Sequence, residues 1–133
     1  MPTPQVIHVL AGVLLDAQGR VLFAQRPAGK HLAGQWEFPG GKRELGESPV
    51  QALARELVEE LDIVVLSAEP LVAVPWHYGE WELLLDAWRV TRWDGTPKSA
   101  EGQALQWLRP GQMDVSTLAG ADRLVLSTLL RAL

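Results

Sequence analysis

The sequence predicts one α/β (α+β) domain, spanning residues 1–133, in which a mixed β-sheet is flanked by two helices. Three observations carry this expectation. The 133-residue chain suits one domain of common size, and 47% hydrophobic residues allow a real core. Strand-like runs precede and follow one strongly amphipathic segment at residues 49–61, and a second helical pattern closes the chain. No repeat, low-complexity tract or linker interrupts this order, which is that of a mixed sheet with helices packed against it.

The elements follow in turn. Val6 to Leu15 is apolar and rich in β-branched residues, and reads as a first strand rather than a leader, because no basic region or clear cleavage pattern precedes it. Asp16-Ala17-Gln18-Gly19 is a turn, with Val21 to Gln25 expected as the hairpin partner. Residues 27–46 hold seven glycines or prolines, so they read as a loop with one short strand at Trp36 to Phe38. Loops of that length in a compact domain are usually functional or disordered. Ser48 is then a helix N-cap, Pro49 fits the first helical position, and Gln51 can close a capping box. The helix should end near Leu61. Strands are expected at Ile63 to Ser67, Leu71 to Trp76, Trp81 to Thr91 and Ala104 to Leu108, with a turn at Trp93-Asp94-Gly95-Thr96-Pro97. Ala121 to Leu133 closes the chain as an amphipathic helix, with Leu124, Leu126 and Leu130 among its apolar positions.

Composition narrows the function. There is no cysteine, so neither disulfide nor thiolate chemistry is available, which accords with the cytoplasmic location expected here. A net charge of −4 argues against nucleic-acid polymers as partners. No apolar run approaches the ~20 residues that span a bilayer, so no membrane partner is expected. A small phosphorylated substrate stays possible if a cation bridges it to the acidic protein. The chain is expected as a monomer or homodimer.

The helix beginning at Pro49 carries the chemistry. Val50, Leu53, Ala54, Leu57 and Leu61 fall in one stripe. Glu56, Glu59 and Glu60 are related by i, i+3 and i+4 and share another face. A solvated acidic face is the ordinary explanation of such a group. Two features oppose it: these spacings repel, and within the helix only Arg55 stands i, i+4 from a member of the group, Glu59. Hard divalent cations seek clustered oxygens and leave places for water and substrate phosphates.

Gly41, five residues, Glu47, seven residues, then Arg55-Glu56-Leu57-Val58-Glu59-Glu60-Leu61-Asp62-Ile63 resembles the Nudix box, here residues 41–63. The resemblance departs from the family pattern only at Asp62, where the box has glycine. That position follows the helix and favours a left-handed residue, a conformation Asp tolerates at a cost on the order of a kcal/mol. Trp36-Glu37-Phe38-Pro39-Gly40-Gly41-Lys42 further resembles the stretch that enters the box in MutT-type Nudix hydrolases.

The resemblance implies an α/β/α sandwich and an enzyme, a Nudix pyrophosphohydrolase cleaving a nucleoside triphosphate to monophosphate and pyrophosphate. It implies Mg²⁺ as cofactor, with Mn²⁺ as a substitute. By position it makes Glu56, Glu59 and Glu60 metal ligands, with the Gly40 carbonyl completing the shell. Arg55 would orient a carboxylate, an exposed ion pair with Glu59 being the plain alternative. Glu47 would support the loop and helix. Glu101, in Lys98-Ser99-Ala100-Glu101-Gly102-Gln103, resembles a further catalytic or metal-binding carboxylate; a solvated loop residue is the alternative. Gly41, Lys42 and Arg26 would face the substrate's phosphates.

For the base, His31 and Phe38 resemble pocket residues, although Phe38 equally suits the core. Asp122 stands where the MutT type, whose type substrate is 8-oxo-dGTP, has an asparagine that reads the base. An ionised aspartate only accepts hydrogen bonds, so Asp122 could imitate asparagine only if burial kept it protonated. The alternative is an acidic residue favoured at a helix N-terminus. Trp76, His77 and Tyr78 could stack on a base, but Trp81, Trp88 and Trp107 read as strand core. The resemblance implies clearing of oxidised nucleotides from the nucleotide pool, in support of DNA repair. It leaves open ADP-ribose, a dinucleotide or an undamaged nucleotide as substrate, and a non-catalytic nucleotide-binding module.

Overall fold

The structure, a computed structural model, describes residues 6–30 and 32–133. The elements are β1 (Ile7–Leu14), β2 (Val21–Gln25), β3 (Trp36–Glu37), β4 (Gly40–Lys42), α1 (Pro49–Leu61), β5 (Val64–Tyr78), β6 (Trp81–Asp94), β7 (Leu105–Leu108) and α2 (Gly120–Ala132). Two short 3₁₀ turns, Pro110–Gln112 and Val115–Thr117, lie between β7 and α2.

From Val9 in β1 and through Ala24 in β2 the strands are apolar on both faces because both faces are covered. Ala11, Val13, Val21 and Phe23 enter one core with Val125, Leu126 and Leu129 of α2. Their neighbours Leu10, Leu14 and Leu22 enter a second core with Leu53, Leu57 and Leu61 of α1. Alternate residues of a strand point to opposite faces, so the helices lie on opposite sides of the strands in an α/β/α arrangement.

The strands form two sheets rather than one. A four-stranded mixed sheet runs β4-β1-β6-β5, and a three-stranded sheet runs β3-β2-β7. The expected β1–β2 hairpin is absent. β1 is paired antiparallel to β4 and parallel to β6, so both of its edges are taken. Only the Leu15–Val21 bridge links the two strands across the turn. That turn is closed by the Asp16 carboxylate, which accepts from the Gln18 and Arg20 N–H groups at 2.9 and 2.8 Å.

The expected strands 63–67 and 71–76 are one strand, β5, whose register shifts between Val65 and Ser67, at Ser67–Ala68 and between Pro70 and Val72. Pro70 is tolerated because β5 is an edge strand and the irregularity lies beside it. β6 likewise continues to Asp94 before the chain turns at Gly95.

Helix α1 begins as its sequence dictates. The Ser48 hydroxyl accepts from the Gln51 N–H at 3.2 Å, and the Gln51 side chain accepts from the Ser48 N–H at 2.9 Å. It ends at Asp62, which takes the left-handed conformation (φ 55°, ψ 43°). The Asp62 carboxylate is 3.8 Å from Lys98 in an exposed pair worth little. Asp62→Gly is therefore expected to stabilise the protein by about 0.5–1 kcal/mol. A urea titration should show a higher midpoint at unchanged slope; a lower midpoint would mean that the Asp62 side chain contributes more than its strain costs.

The buried face of α1 is rotated from the expected stripe, and of the apolar positions named in α2 only Leu126 is buried. In α1, Ala52 is buried while Val50 is exposed and Ala54 only partly covered. In α2, Ala121, Asp122, Val125, Leu126 and Leu129 are buried, and Leu124 and Leu130 face outward. No helix among the described residues is long and apolar enough to cross a membrane.

Candidate active site

The rotation of α1 decides which glutamates face inward. At about 100° per residue, Glu56 and Glu60 fall inside the arc bounded by Ala52 and Leu57, whereas Glu59 falls just beyond Ala52. Glu56 and Glu60 accordingly line a cavity of about 1190 Å³, together with Glu101, Gly40, Gly41 and Lys42. Glu59 is outside the lining, with its side chain 52% exposed.

The loop before the helix is locked to it by glycines and by Arg55. A Cβ on Gly40 would lie 1.9 Å from the Leu10 carbonyl oxygen, so only glycine lets β4 lie against β1 there. A Cβ on Gly41 would lie 2.4 Å from the Glu56 carboxyl group. The Arg55 guanidinium donates to both Glu47 oxygens at 2.8 and 3.0 Å, to Glu56 Oε1 at 3.0 Å and to the Lys42 carbonyl at 3.0 Å. Its contact with Glu59, at 3.5 Å, is longer than those to Glu47 and Glu56. Glu47 also accepts from the Glu44 N–H at 2.8 Å, tying the loop to the guanidinium.

The charges of this patch are strained. Arg55 and the Glu44 N–H hold the Glu47 carboxyl below its ordinary pKa. Burial pushes Glu56 up, against the pull of Arg55, and the Glu59 and Glu101 charges add to the push. Burial pushes Glu60 further, to about 8, helped by the charges of Glu37, Glu101 and Glu56. The Gly40 N–H, donating to Glu60 Oε2 at 2.7 Å, only partly offsets this. Among the described residues no cationic side chain forms an ion pair with Glu60.

This donor set suits a hard divalent cation: oxygen ligands on one wall, mutually repelling, with a cation as the natural relief. Among the described residues no three acidic or histidine side chains are gathered tightly enough to grip an ion by themselves. Such a cation would therefore draw on substrate oxygens and water as well.

The same cavity is also lined by Phe38, Leu83, Leu85, Tyr78, Trp81 and Asp122. Asp122 is 6% exposed, and its Oδ2 accepts from the Phe38 N–H at 2.9 Å. Burial, with the Glu37 charge, pushes its carboxyl to about 8. Phe38 is 3% exposed and packs on Phe23 with ring centroids 5.1 Å apart, so it is a core residue whose edge reaches the cavity. Arg26 and Lys30 line the wall, and Arg26 is paired with Glu37 at 2.9 Å. His31 lies outside the described residues.

Three features of the site were not read from the sequence. Trp81 is not strand core: it follows the β5–β6 turn, is 67% exposed and lines the cavity. Trp88 and Trp107 are partly buried against the α1 core, as the strand reading expects, and Trp76 packs on the other core beside Gly120. Glu37, half-buried beside Arg26, and Gln103, 8% exposed, also line the cavity. The signal for Gln103 was its place two residues after Glu101; Glu37 carried none beyond its place in the Trp36–Lys42 stretch.

Comparison with known proteins places the chain in a family. The NUDIX domain family model matches residues 10–128. The 8-oxo-dGTP diphosphatase of Escherichia coli is 30% identical over 94% of this chain and 97% of its own. The CTP pyrophosphohydrolase of the same organism is 41% identical over 89% of this chain and 87% of its own. The solution structure of the E. coli ORF135 protein superposes with a TM-score of 0.86 at 38% identity, covering 96% of this chain and 91% of that one. The chain belongs to the Nudix hydrolases, as a pyrophosphohydrolase of the MutT type.

Proposed function

We propose that this protein hydrolyses a nucleoside triphosphate to a nucleoside monophosphate and pyrophosphate in a Mg²⁺-dependent reaction, with an oxidised purine nucleotide such as 8-oxo-dGTP as preferred substrate. The observation that carries this reading is one cavity lined both by crowded carboxylates and by apolar residues beside a buried acid, Asp122. Glu56, Glu59, Glu60, Glu101 and the Gly40 carbonyl would hold Mg²⁺ or Mn²⁺, Glu59 from the rim. When bound, the ion supplies neutralisation of phosphate charge and polarisation of a phosphoryl oxygen.

The remaining work falls to side chains. Arg55 holds Glu56 in place, and Glu47 holds Arg55. Burial raises the Glu56 pKa against the pull of Arg55, which makes its carboxylate a stronger proton acceptor towards an attacking water. Lys42 and Gly41 face the phosphates, and Arg26 contributes through its pair with Glu37. Asp122, protonated at neutral pH, offers a hydroxyl donor beside its bonded oxygen and so imitates an amide towards a purine O6. Clearing of oxidised nucleotides from the pool is the role that accords with this preference.

A second reading, an undamaged pyrimidine triphosphate as substrate, is favoured by the 41% identity to a CTP pyrophosphohydrolase. A nucleotide panel with Mg²⁺, pyrophosphate and phosphate being measured separately, decides between them. Pyrophosphate release from 8-oxo-dGTP at far higher kcat/KM than from dGTP or CTP is expected. A CTP preference would move the assignment to the second reading, and no turnover of any nucleotide would end both.

A further inference from the structure

We infer that Gln103 is the positioning residue that fastens the loop carrying Glu101 to the end of the helix carrying Glu56 and Glu60. This rests on the reading above, in which Glu101 is a working carboxylate. The last carbonyls of any helix lack partners within it. Here the loop supplies them: the Lys98 N–H donates to the Leu61 carbonyl at 2.9 Å and the Ala100 N–H to the Glu60 carbonyl at 3.0 Å.

Gln103 completes that junction from the other side of Glu101. Its Nε2 donates to the Glu60 carbonyl at 3.1 Å, and its Oε1 accepts from the Glu101 N–H at 3.1 Å. The Ser99 hydroxyl lies 3.0 Å from the same Oε1 and also reaches the Gln103 backbone carbonyl. Gly102, at φ +80°, reverses the chain so that Glu101 and the Gln103 side chain can both turn towards α1. One buried amide therefore ties Glu101 and Glu60 to a common point.

The chemistry explains why an amide stands there. The Glu60 carbonyl takes a second donor here and the Glu101 N–H takes an acceptor, both from one buried side chain. A carboxylate would set two acceptors beside the Glu60 carbonyl, and an apolar side chain of the same length would satisfy neither group.

The test compares Gln103→Met with wild type, each alone and with Glu101→Gln. Three quantities are read: kcat and KM for the nucleotide turned over, Mn²⁺ affinity by electron paramagnetic resonance without nucleotide, and amide exchange at Ala100 and Glu101. Gln103→Met is expected to lower kcat and Mn²⁺ affinity by about 10- to 100-fold, to leave KM little changed and to speed exchange at both amides. In the Glu101→Gln background it should add little, because both changes act through one carboxylate.

Ser99→Ala, which removes only the supporting hydroxyl, should weaken Mn²⁺ binding about three-fold and speed the same exchange. It decides the matter if Gln103→Met does not fold, and wild-type affinity and exchange in Ser99→Ala would then overturn the inference. Wild-type kcat and Mn²⁺ affinity in Gln103→Met, or losses that multiply in full with those of Glu101→Gln, would overturn it too. If Glu101→Gln itself behaves as wild type, the reading of Glu101 fails first; if only Gln103→Met does, the inference fails alone.

Discussion

Glu60→Gln is expected to melt at or above the wild-type temperature without metal, while its kcat falls on the order of 10²-fold or more. The two effects share a cause. Glu60 stands in the last turn of α1 on the buried arc, among the charges of Glu37, Glu101 and Glu56, and its only described hydrogen-bond donor is the Gly40 N–H. Its raised pKa, about 8, measures how unfavourable the carboxylate is there. Glutamine keeps the shape and can still accept from Gly40, and it removes the cost that the metal-free fold meets at neutral pH in either ionising this carboxyl or taking up a proton on folding. Such charges are kept where activity needs them, at the expense of stability.

The same argument predicts that Mg²⁺ or Mn²⁺ stabilises the wild type in proportion to RT ln(1 + [L]/Kd), and stabilises Glu60→Gln far less. Thermal melts with and without metal, beside steady-state rates, check both parts. An active Glu60→Gln, or a wild type whose melting is indifferent to metal, would remove Glu60 from the site chemistry.

Asp122 gives the second large effect, in pH dependence. Its pKa is raised from 3.8 to about 8, chiefly by burial in the first turn of α2, with the Glu37 charge adding and the Phe38 N–H and Arg26 subtracting. The folded state thus keeps a proton that the unfolded chain has released between those values. Stability from this group is full below about pH 4 and declines as pH rises through about 8. Asp122→Asn, fixed in the neutral form and still able to accept from Phe38, should lose that slope and gain on wild type in stability by a margin that grows from about pH 4 and levels off above about pH 8.

Base preference should follow the same proton. Protonated Asp122 can donate to a purine O6, whereas ionised Asp122 only accepts and suits an exocyclic amino group such as N4 of cytosine. The ratio of kcat/KM for 8-oxo-dGTP to that for CTP is expected to fall about ten-fold between pH 7 and pH 9 in wild type and to stay level in Asp122→Asn. Parallel pH profiles in the two proteins would show that Asp122 does not read the base.

The features legible in the amino-acid order are those that form within a few residues. Helix α1 starts at Ser48 through a capping box closed by Gln51, and it stops at Asp62 in the left-handed conformation. The strand β2 was legible to the residue, because turn chemistry at Asp16–Gly19 bounds it. The spacing of the box likewise put Glu56, Glu59 and Glu60 on neighbouring positions of one helix. Hydrogen bonds between near neighbours need no knowledge of the rest of the chain.

Which partner each element takes, and which way it faces, depends on contacts between distant parts of the chain. β1 lies between β4 and β6, the latter more than sixty residues away, so the neighbouring β2 pairs elsewhere. The packing of α1 on Leu10, Leu14 and Leu22 turns Glu56 and Glu60 inward and leaves Glu59 at the rim. Trp81, apolar and in a strand, is exposed at the first position of β6, where it lines the cavity instead of joining either core. The burial that keeps Asp122 neutral comes from Phe38 and α2 meeting across eighty-four residues. Periodicity tells which residues share a face; the competition among distant surfaces for burial settles which face is covered.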